Sequence, residues 1–279
     1  RDTDRSRGLG DVYKRQQGGA FAANGYARAS GRVGVCMATS GPGATNLLTG
    51  VADACMDSIP MVIITGQVES GLIGKNAFQE TDIIGMSRPI VKHSRLVLHA
   101  GEIAPALVEA FRLARCGRPG PVWIDIPKDI QQQISAFRFD DHPEPRREKL
   151  PPPVEAERIA EIREAIRRSE RPCIVAGGGV IAAGASEELF RFADSYRIPV
   201  ATTLMGIGSF PETHPLSLKW LGMHGSYYAN YAVNECDLLL VLGARFADRS
   251  TGRADRFAEH AFIVPVSYTH LTLPTNSRV

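Results

Sequence analysis

The sequence lacks any apolar run that approaches the roughly 18 to 20 residues of a membrane-spanning helix. It also lacks an excess of charge of either sign, because 32 Lys and Arg stand against 30 Asp and Glu. A net charge of +2 gives no basic footprint for nucleic acid. These absences predict a soluble protein that binds neither membrane nor nucleic acid.

Cysteines are few and scattered, with no CxxC pair and no spacing typical of a metal site. Their odd number, five, and their apolar neighbours favour buried free thiols in a reducing compartment, so we expect a cytoplasmic protein without metal ligands in this chain. The 44% of hydrophobic and 22% of charged residues are typical of globular chains. A length of 279 residues suffices for two domains, each with its own core.

The two ends of the chain read differently from the rest. Residues 11–16 (DVYKRQ) can be encoded by GAT GTG TAT AAG AGA CAG, and the reverse complement of that string encodes VSYTH, the sequence of residues 266–270. We therefore interpret 1–16 and 265–279 as translated adaptor sequence, which we expect to pack poorly at 1–15 and 266–279; chance coding compatibility is the alternative. Between them, 26 basic and 27 acidic residues leave a net charge of −1.

Short apolar runs alternate with amphipathic stretches along the chain, a pattern typical of parallel sheets covered by helices. The first half predicts helices at 18–29, 44–56 and 102–114 and strands at 33–39, 61–65 and 122–126. The second half predicts helices at 154–169, 185–196 and 227–234 and strands at 173–176, 200–202 and 238–242. Because the segment 143–153 is rich in Pro, Arg and Glu, we predict a linker there between α/β domains at 17–142 and 154–264.

The turn formed by residues 40–43 (SGPG) joins a predicted strand to a predicted helix. Glycine allows a ligand to approach the backbone, and a helix N-terminus offers free N–H groups. Taken alone, the turn is better explained as an ordinary tight connection. The glycines at 177–179 follow a predicted strand in the same way and carry equally little information alone.

Several ordered motifs share one resemblance: SGPGATN at 40–46, DSIPMV at 57–62, TGQV at 65–68, AFQE at 77–80 and GRPGPV at 117–122. This series resembles the pyrimidine-binding domain of thiamine-diphosphate enzymes, most closely the large catalytic subunits of acetolactate (acetohydroxyacid) synthase. The motifs at 203–206 (TLMG), 221–225 (LGMHG) and 243–246 (GARF) are similar to the central domain of those subunits. The resemblance implies a parallel-sheet pyrimidine-binding domain followed by a partial Rossmann-like, FAD-binding central domain.

The resemblance implies an activity and its cofactors. Such a synthase condenses two 2-ketoacids with decarboxylation, pyruvate with pyruvate or 2-ketobutyrate, in branched-chain amino-acid biosynthesis. It uses thiamine diphosphate, Mg²⁺ held by a domain outside this chain, and FAD in a structural role. The resemblance further implies a homodimer or homotetramer with a small regulatory subunit. A glyoxylate carboligase, a pyruvate oxidase and a non-catalytic flavin- or nucleotide-binding module remain alternatives.

The resemblance also carries over individual residues. Phe78 and Gln79 match positions that line the pocket at the reacting carbons, and Lys92 matches one at the mouth of the substrate channel, with a solvated surface lysine as its alternative. The proton-relaying glutamate of the family is matched by Gln16, which cannot ionise, so we expect the chain as written to be inactive. Gly41, Gly43 and Gln79 are the expected thiamine-diphosphate residues.

The positions that match flavin-binding residues are expected to converge on one groove. His224 also has the alternative of a structural histidine, and Ala247 departs from the aspartate that the family more often has there. The expected flavin set is Arg118, Gly178, Thr203, Leu204, Gly222, Met223, His224, Gly243, Ala244, Arg245 and Phe246.

Overall fold

The computed structural model describes residues 2–136 and 154–266. The chain divides into two compact units, Arg1–Lys149 (unit 1) and Leu150–Val279 (unit 2). The division falls within the predicted linker at 143–153, which itself lies outside the described residues. None of the helices that the structure describes combines the length and apolar character that a bilayer span requires.

Unit 1 is an α/β unit with four parallel strands in the order β1-β2-β4-β3. Its strands are β1 (Gly34–Ala38), β2 (Met61–Gln67), β3 (His93–Leu96) and β4 (Pro121–Pro127). Its helices are α1 (Asp2–Ser30), α2 (Pro42–Thr45), α3 (Leu48–Asp57), α4 (Ile83–Ser87), α5 (Ile103–Arg115) and α6 (Lys128–Gln131). Every residue of β4 is buried, which explains why its run is almost continuously apolar.

Small residues bring the helices of unit 1 close to its sheet. A Cβ atom on Gly34 would lie 2.1 Å from the carbonyl oxygen of Ala23, so α1 packs directly on β1. A Cβ on Gly50 would lie 2.7 Å from the Cβ of Ala20, so α3 packs equally closely on α1. Gly31 (φ +67°) follows the last residue of α1 in the left-handed conformation typical of a glycine that ends a helix.

Unit 2 is also α/β, with five parallel strands in the order β7-β6-β5-β8-β9. Its strands are β5 (Pro172–Ala176), β6 (Val200–Thr202), β7 (Ser217–Trp220), β8 (Leu238–Leu242) and β9 (Phe262–Val266). Its helices are α7 (Ala156–Arg168), α8 (Gly178–Ala182), α9 (Ser186–Tyr196), α10 (Tyr227–Glu235) and α11 (Asp248–Thr251). From the central strand β5, the chain adds β6 and then β7 on one side. It then crosses to the other side of β5, where it adds β8 and β9.

The structure departs from the sequence-based elements at partly exposed segments. The helix predicted to run from about 44 to 56 is two helices, α2 and α3, and α1 begins well before residue 18. The sequence did not predict β3, β7 and β9, three of the four outer strands of the two sheets. An outer strand has one unpaired edge and mixed surroundings, so β3 (HSRL) and β7 (SLKW) carry polar residues that hide the strand pattern.

Strand β9 continues past the boundary predicted at residues 264 and 265. Pro265 and Val266 pair with Val241 and Leu242, and the N–H of Gly243 donates to the carbonyl of Val266 at 2.9 Å. At Val266 the backbone is thus paired in a strand, contrary to the expected loose tail, whereas the residue itself is 51% exposed. Such pairing uses backbone groups that nearly any residue supplies. The packing of residues 267–279, and of the side chains of 1–15, lies outside the described residues.

Candidate functional site

The carboxyl ends of β1 and β2 bring two predicted site residues into contact. Gly41 follows β1, and a Cβ atom there would lie 2.7 Å from the carbonyl oxygen of Gln79 and 3.0 Å from its Cα. Gly41 has φ +57°, so glycine is required both for the conformation and for the close approach. Gly43 is buried in α2, where a Cβ would meet the Cγ2 of Thr39 at 2.6 Å. The turn at 40–43 and the loop carrying Gln79 therefore lie together at the carboxyl ends of the strands. We refer to the carboxyl ends of the strands in each unit as the edge of that sheet.

The loop between β2 and α4 holds two non-glycine residues in an unusual backbone conformation. Gln79 has φ 59° and Asn76 has φ 57°, both in the left-handed region that non-glycine residues rarely adopt. The carboxylate of Glu80 accepts hydrogen bonds from the N–H groups of Gly74 and Ala77, and these bonds lower its pKa. The loop is thus tied together by its own side chain.

Phe78, next to Gln79, is 90% exposed. Its ring is open to contact beside this polar edge, and single exposed apolar side chains are common on protein surfaces. The structure therefore brings together Gly41, Phe78 and Gln79 of the predicted site.

A buried polar network underlies this edge, and Asp125, its central residue, is absent from the predicted site. Asp125 lies in β4 directly opposite Thr65 of β2 and is fully buried. Its carboxylate accepts a hydrogen bond from the Thr65 hydroxyl (2.6 Å) and one from the Gln67 amide (3.0 Å). The indole N–H of Trp123 donates to the Thr65 oxygen at 2.8 Å. Burial raises the pKa of Asp125 to about 6, although the two bonds to its carboxylate oppose that rise.

The same network reaches the loop that carries Gln79. The side-chain amide of Gln67 donates to the backbone carbonyl of Thr81 at 2.9 Å, and its oxygen accepts from the N–H of Val68 at 2.9 Å. The signal that could have revealed this network is an acid in the otherwise apolar buried run of β4. Gln67 and Glu80 stood within recognised motifs, but their partners depend on the sheet register.

Two predicted site residues lie at the opposite end of the unit 1 sheet. Lys92 immediately precedes β3, and its ammonium donates to the carbonyls of Leu113 and Cys116 at the end of α5. Arg118 precedes β4, and its Nε donates to the Ser58 hydroxyl at 2.8 Å. Because the strands are parallel, the amino ends of β3 and β4 lie away from Gly41 and Gln79. The roles of Lys92 and Arg118 toward substrate and flavin stay predictions.

Gln16 lies within α1, on the same helix whose later turns pack against β1. Its side chain is partly buried. An amide at this position can donate and accept hydrogen bonds but cannot take up or release a proton at ordinary pH.

In unit 2, the predicted flavin motifs all follow the carboxyl ends of strands. Gly178 follows β5, Thr203 follows β6, Gly222 follows β7 and Gly243 follows β8. The strand order reverses between β5 and β8, and open α/β sheets bind ligands at the carboxyl ends of strands where the order reverses. The structure therefore places these motifs along one sheet edge.

Backbone contacts between glycines shape this second edge. A Cβ atom on Gly177 would lie 2.4 Å from the Cα of Ala244, and the N–H of Gly179 donates to the carbonyl of Gly243 at 2.9 Å. Gly243 has φ +60°, and a Cβ there would lie 2.7 Å from the Cα of Gly179. The loops after β5 and β8 thus touch through their backbones.

The side chains of the flavin set differ in where they lie. Leu204 is 59% exposed and Met223 is 61% exposed, and His224 is exposed too. Ala244 is buried, and Phe246 packs edge-on against Phe257 with ring centroids 6.0 Å apart. Exposed Leu204, Met223 and His224 form the open part of the edge, whereas Ala244 and Phe246 belong to the core behind it. Thr203 is buried and Arg245 is partly buried.

Metal-binding clusters and disulfides are not found in the part of the chain that the structure describes. No three His, Cys, Asp or Glu side chains among residues 16–136 and 154–266 come together as a metal site. The five cysteines are free, and burial raises the pKa of Cys36 to about 11 and that of Cys236 to about 12. Buried thiols with raised pKa values are poor nucleophiles.

Comparisons with known proteins agree in both units. The family model described as the thiamine pyrophosphate enzyme N-terminal TPP binding domain matches residues 12–86, and the one described as the thiamine pyrophosphate enzyme central domain matches 159–279. The chain is 54% identical over 260 residues to acetolactate synthase 1, chloroplastic, of Zea mays, covering 91% of this chain and 40% of that protein. It is 48% identical over 275 residues to the probable acetolactate synthase large subunit of Methanocaldococcus jannaschii, covering 96% and 46%. The chain thus spans less than half the length of these curated relatives.

Proposed function

This chain belongs to the thiamine pyrophosphate enzymes, whose N-terminal and central domains it carries, and on that premise we propose that it is part of an acetolactate synthase catalytic subunit. The whole protein would condense two 2-ketoacids with loss of carbon dioxide. The names of the relatives, from plants and from an archaeon, support this reaction over those of a carboligase or an oxidase. Within the structure, the contact between Gly41 and Gln79 carries the proposal.

Unit 1 would hold the pyrimidine ring of thiamine diphosphate at the edge formed by Gly41 and Gln79. Phe78 would offer such a ring an apolar face, and Gly41 would let Gln79 approach the turn closely enough to line the same site. When bound, the cofactor supplies the electron sink for decarboxylation. The amide of Gln79 would hold a ketoacid oxygen while remaining uncharged, and Phe78 would exclude water from the reacting carbons.

Gln16 does not fit the proton transfer that this cofactor requires. Its amide can accept or donate a hydrogen bond to a ring nitrogen, but it provides no ionisable group there. The described residues also provide no cluster for the Mg²⁺ that would anchor a diphosphate. We therefore expect no acetolactate from the 279-residue chain alone.

Unit 2 would be a Rossmann-like domain that binds FAD at the reversal point between β5 and β8. The edge fits a flavin nucleotide, since Leu204 and Met223 expose apolar surface for a flat ring and Arg245 adds a cation for phosphate. FAD would order this edge without net redox chemistry. Arg118 matches a flavin-contacting position of the family, and that role stays a prediction.

Partners and compartment follow from the same premise. The relative named a large subunit implies a smaller one, so we propose a homodimer or homotetramer that binds a small regulatory subunit. Pyruvate and 2-ketobutyrate are the proposed substrates. Lys92 would meet their carboxylates only at a channel mouth apart from Gly41 and Gln79, because its ammonium donates to the carbonyls of Leu113 and Cys116 at the amino end of the sheet. Free cysteines in both units support a reducing compartment such as the cytoplasm.

A chimera tests the activity directly. Residues 17–264 replace the matching segment of the Zea mays synthase, whose own sequence then supplies the remaining regions, including the residue before position 17. We expect acetolactate from pyruvate with thiamine diphosphate, Mg²⁺ and FAD. The matched variant Gln79→Ala should lose about 100-fold in kcat, because a reacting group would be misplaced. A folded, cofactor-loaded chimera that makes no acetolactate would contradict the proposal.

A further inference from the structure

Gln79 has a left-handed backbone conformation in the loop between β2 and α4. This loop is hydrogen-bonded to the sheet at Thr81, two residues after Gln79. Within the loop, the Glu80 carboxylate accepts hydrogen bonds from the N–H groups of Gly74 and Ala77, which link residues 74–80 into one unit. The hydrogen bond from the Gln67 amide to the Thr81 carbonyl holds the carboxyl end of this loop to strand β2. The conformation of Gln79 therefore depends on how firmly Gln67 is held.

Gln67 has no freedom to rotate its amide. Its Nε2 donates to both Thr81 and Asp125, and its oxygen accepts from the N–H of Val68. Turning the amide over would set N–H groups against the Val68 donor and an oxygen against two acceptors. Asp125 is the acceptor that selects this orientation.

Asp125 is itself held by a directed chain of donors. Because the Thr65 oxygen accepts the indole N–H of Trp123, its own proton is committed to the Asp125 carboxylate. The order of donation runs from Trp123 through Thr65 to Asp125, and Gln67 donates to the same carboxylate from the other side. Asp125 is the one charged side chain among the buried residues of the described ranges. A buried acid without an ion partner is a costly way to stabilise a strand.

We propose that Asp125 is a positioning residue that, through Gln67 and the Thr81 carbonyl, fixes the loop in which Gln79 packs against Gly41. This inference rests on the proposed function for the role of Gln79 in holding substrate. The anchoring itself concerns contacts within unit 1 and needs no bound group.

Two near-isosteric variants of the 279-residue chain test the anchoring. Asp125→Asn replaces a carboxylate that accepts two hydrogen bonds with an amide that sets a donor against Thr65 or Gln67. Gln67→Met leaves Asp125 in place and removes the hydrogen bond to Thr81. This variant tests the anchoring even if Asp125→Asn fails to fold. Hydrogen exchange measured by mass spectrometry at residues 74–81 should become about tenfold faster in both variants.

The control Asp237→Asn alters a carboxylate with similar bonds in unit 2, where it accepts from the Ser169 hydroxyl and the N–H groups of Glu170 and Arg171. It should leave exchange at 74–81 unchanged. The double variant Asp125→Asn/Gln67→Met should match the more affected single variant, because both changes break one connection. Exchange at 74–81 equal to that of the unmodified chain in both single variants overturns the proposal, as does an equal loosening of β2 and β4, which a merely structural role predicts.

In the chimera, the same two variants should lower kcat about tenfold and leave FAD affinity unchanged, since only the loop moves. If the loop loosens while kcat stays constant, the anchoring is supported and the role of Gln79 in the proposed function fails. If the unmodified chimera is inactive, the exchange data alone decide whether Asp125 anchors the loop.

Discussion

The two sheets of this chain present the same kind of edge but order it by different interactions. In unit 1, the edge rests on a buried carboxylate that directs hydrogen bonds from Thr65 and Gln67. In unit 2, the corresponding edge rests on backbone contacts that glycines permit, as between Gly177 and Ala244. The first edge therefore depends on the identity of polar atoms as well as on the glycine at position 41, and the second depends mainly on the absence of side-chain atoms.

This difference separates two ways of damaging a binding edge. Replacing one atom of a carboxylate leaves the volume unchanged but misaligns donors and acceptors. Adding one methyl group leaves polarity unchanged but forces two backbones apart. Unit 1 should thus be sensitive to both changes, because Gly41 packs on Gln79, whereas the edge of unit 2 should be sensitive mainly to added side-chain atoms.

The largest effect is expected for Gly177→Ala in unit 2. The added Cβ would lie 2.4 Å from the Cα of Ala244 and 2.4 Å from the carbonyl oxygen of Gly243, so the backbone must move. We expect a loss of more than about 3 kcal/mol in the free energy of unfolding of unit 2, read from hydrogen exchange of β5 and β8 amides.

Gly184→Ala is the matched control, since a Cβ there meets nothing within 4 Å. Only its φ of +67° is unfavourable for alanine, so the free energy of unfolding of unit 2 should fall by about 1 kcal/mol. Equal losses at the two positions would show that crowding does not order this edge.

The next effect is the pH dependence that Asp125 gives to the stability of unit 1. The pKa of Asp125 is raised from 3.8 to about 6 in the folded chain, so the folded state binds its proton more tightly than the unfolded state. Stability from this group is fully present below about pH 4 and is lost as pH rises through 6, by about 3 kcal/mol. Exchange of β4 amides, corrected for intrinsic rates, should show this decline, and Asp125→Asn should remove it. A decline of the same size in that variant would assign it to another group.

The smallest effect concerns the amino end of the unit 1 sheet. Arg118→Ala removes bonds to the Ser58 hydroxyl and to the carbonyls of Cys55 and Met56, which close the end of α3. We expect a loss of about 1 kcal/mol in unit 1, measured by chemical denaturation followed by circular dichroism. In the chimera, FAD affinity should fall as well if Arg118 also contacts the flavin. Unchanged FAD affinity would restrict Arg118 to its structural bonds.

The sequence predicted most buried elements because their periodicity reflects burial. Strands β6 and β8 agree with the predicted bounds. Helix α5 is shifted by one residue from its predicted range, and α9 begins one residue later than predicted. Edge strands such as β3 were missed because their residues face mixed surroundings. The contact between Gly41 and Gln79 follows from motifs, but the Asp125 network required the register that places Thr65 opposite it. Pairings between strands 60 residues apart leave no local pattern to read.

The indole of Trp123 has a further consequence. The chain has two tryptophans, and each unit holds one of them: Trp123 in β4 and Trp220 at the end of β7. Trp123 is fully buried and hydrogen-bonded to Thr65, whereas Trp220 is partly exposed, so their emission spectra should differ. Trp220→Phe would leave fluorescence from unit 1 alone, and Trp123→Phe would leave fluorescence from unit 2. The two units can therefore be followed separately by light emission from an otherwise unlabelled chain.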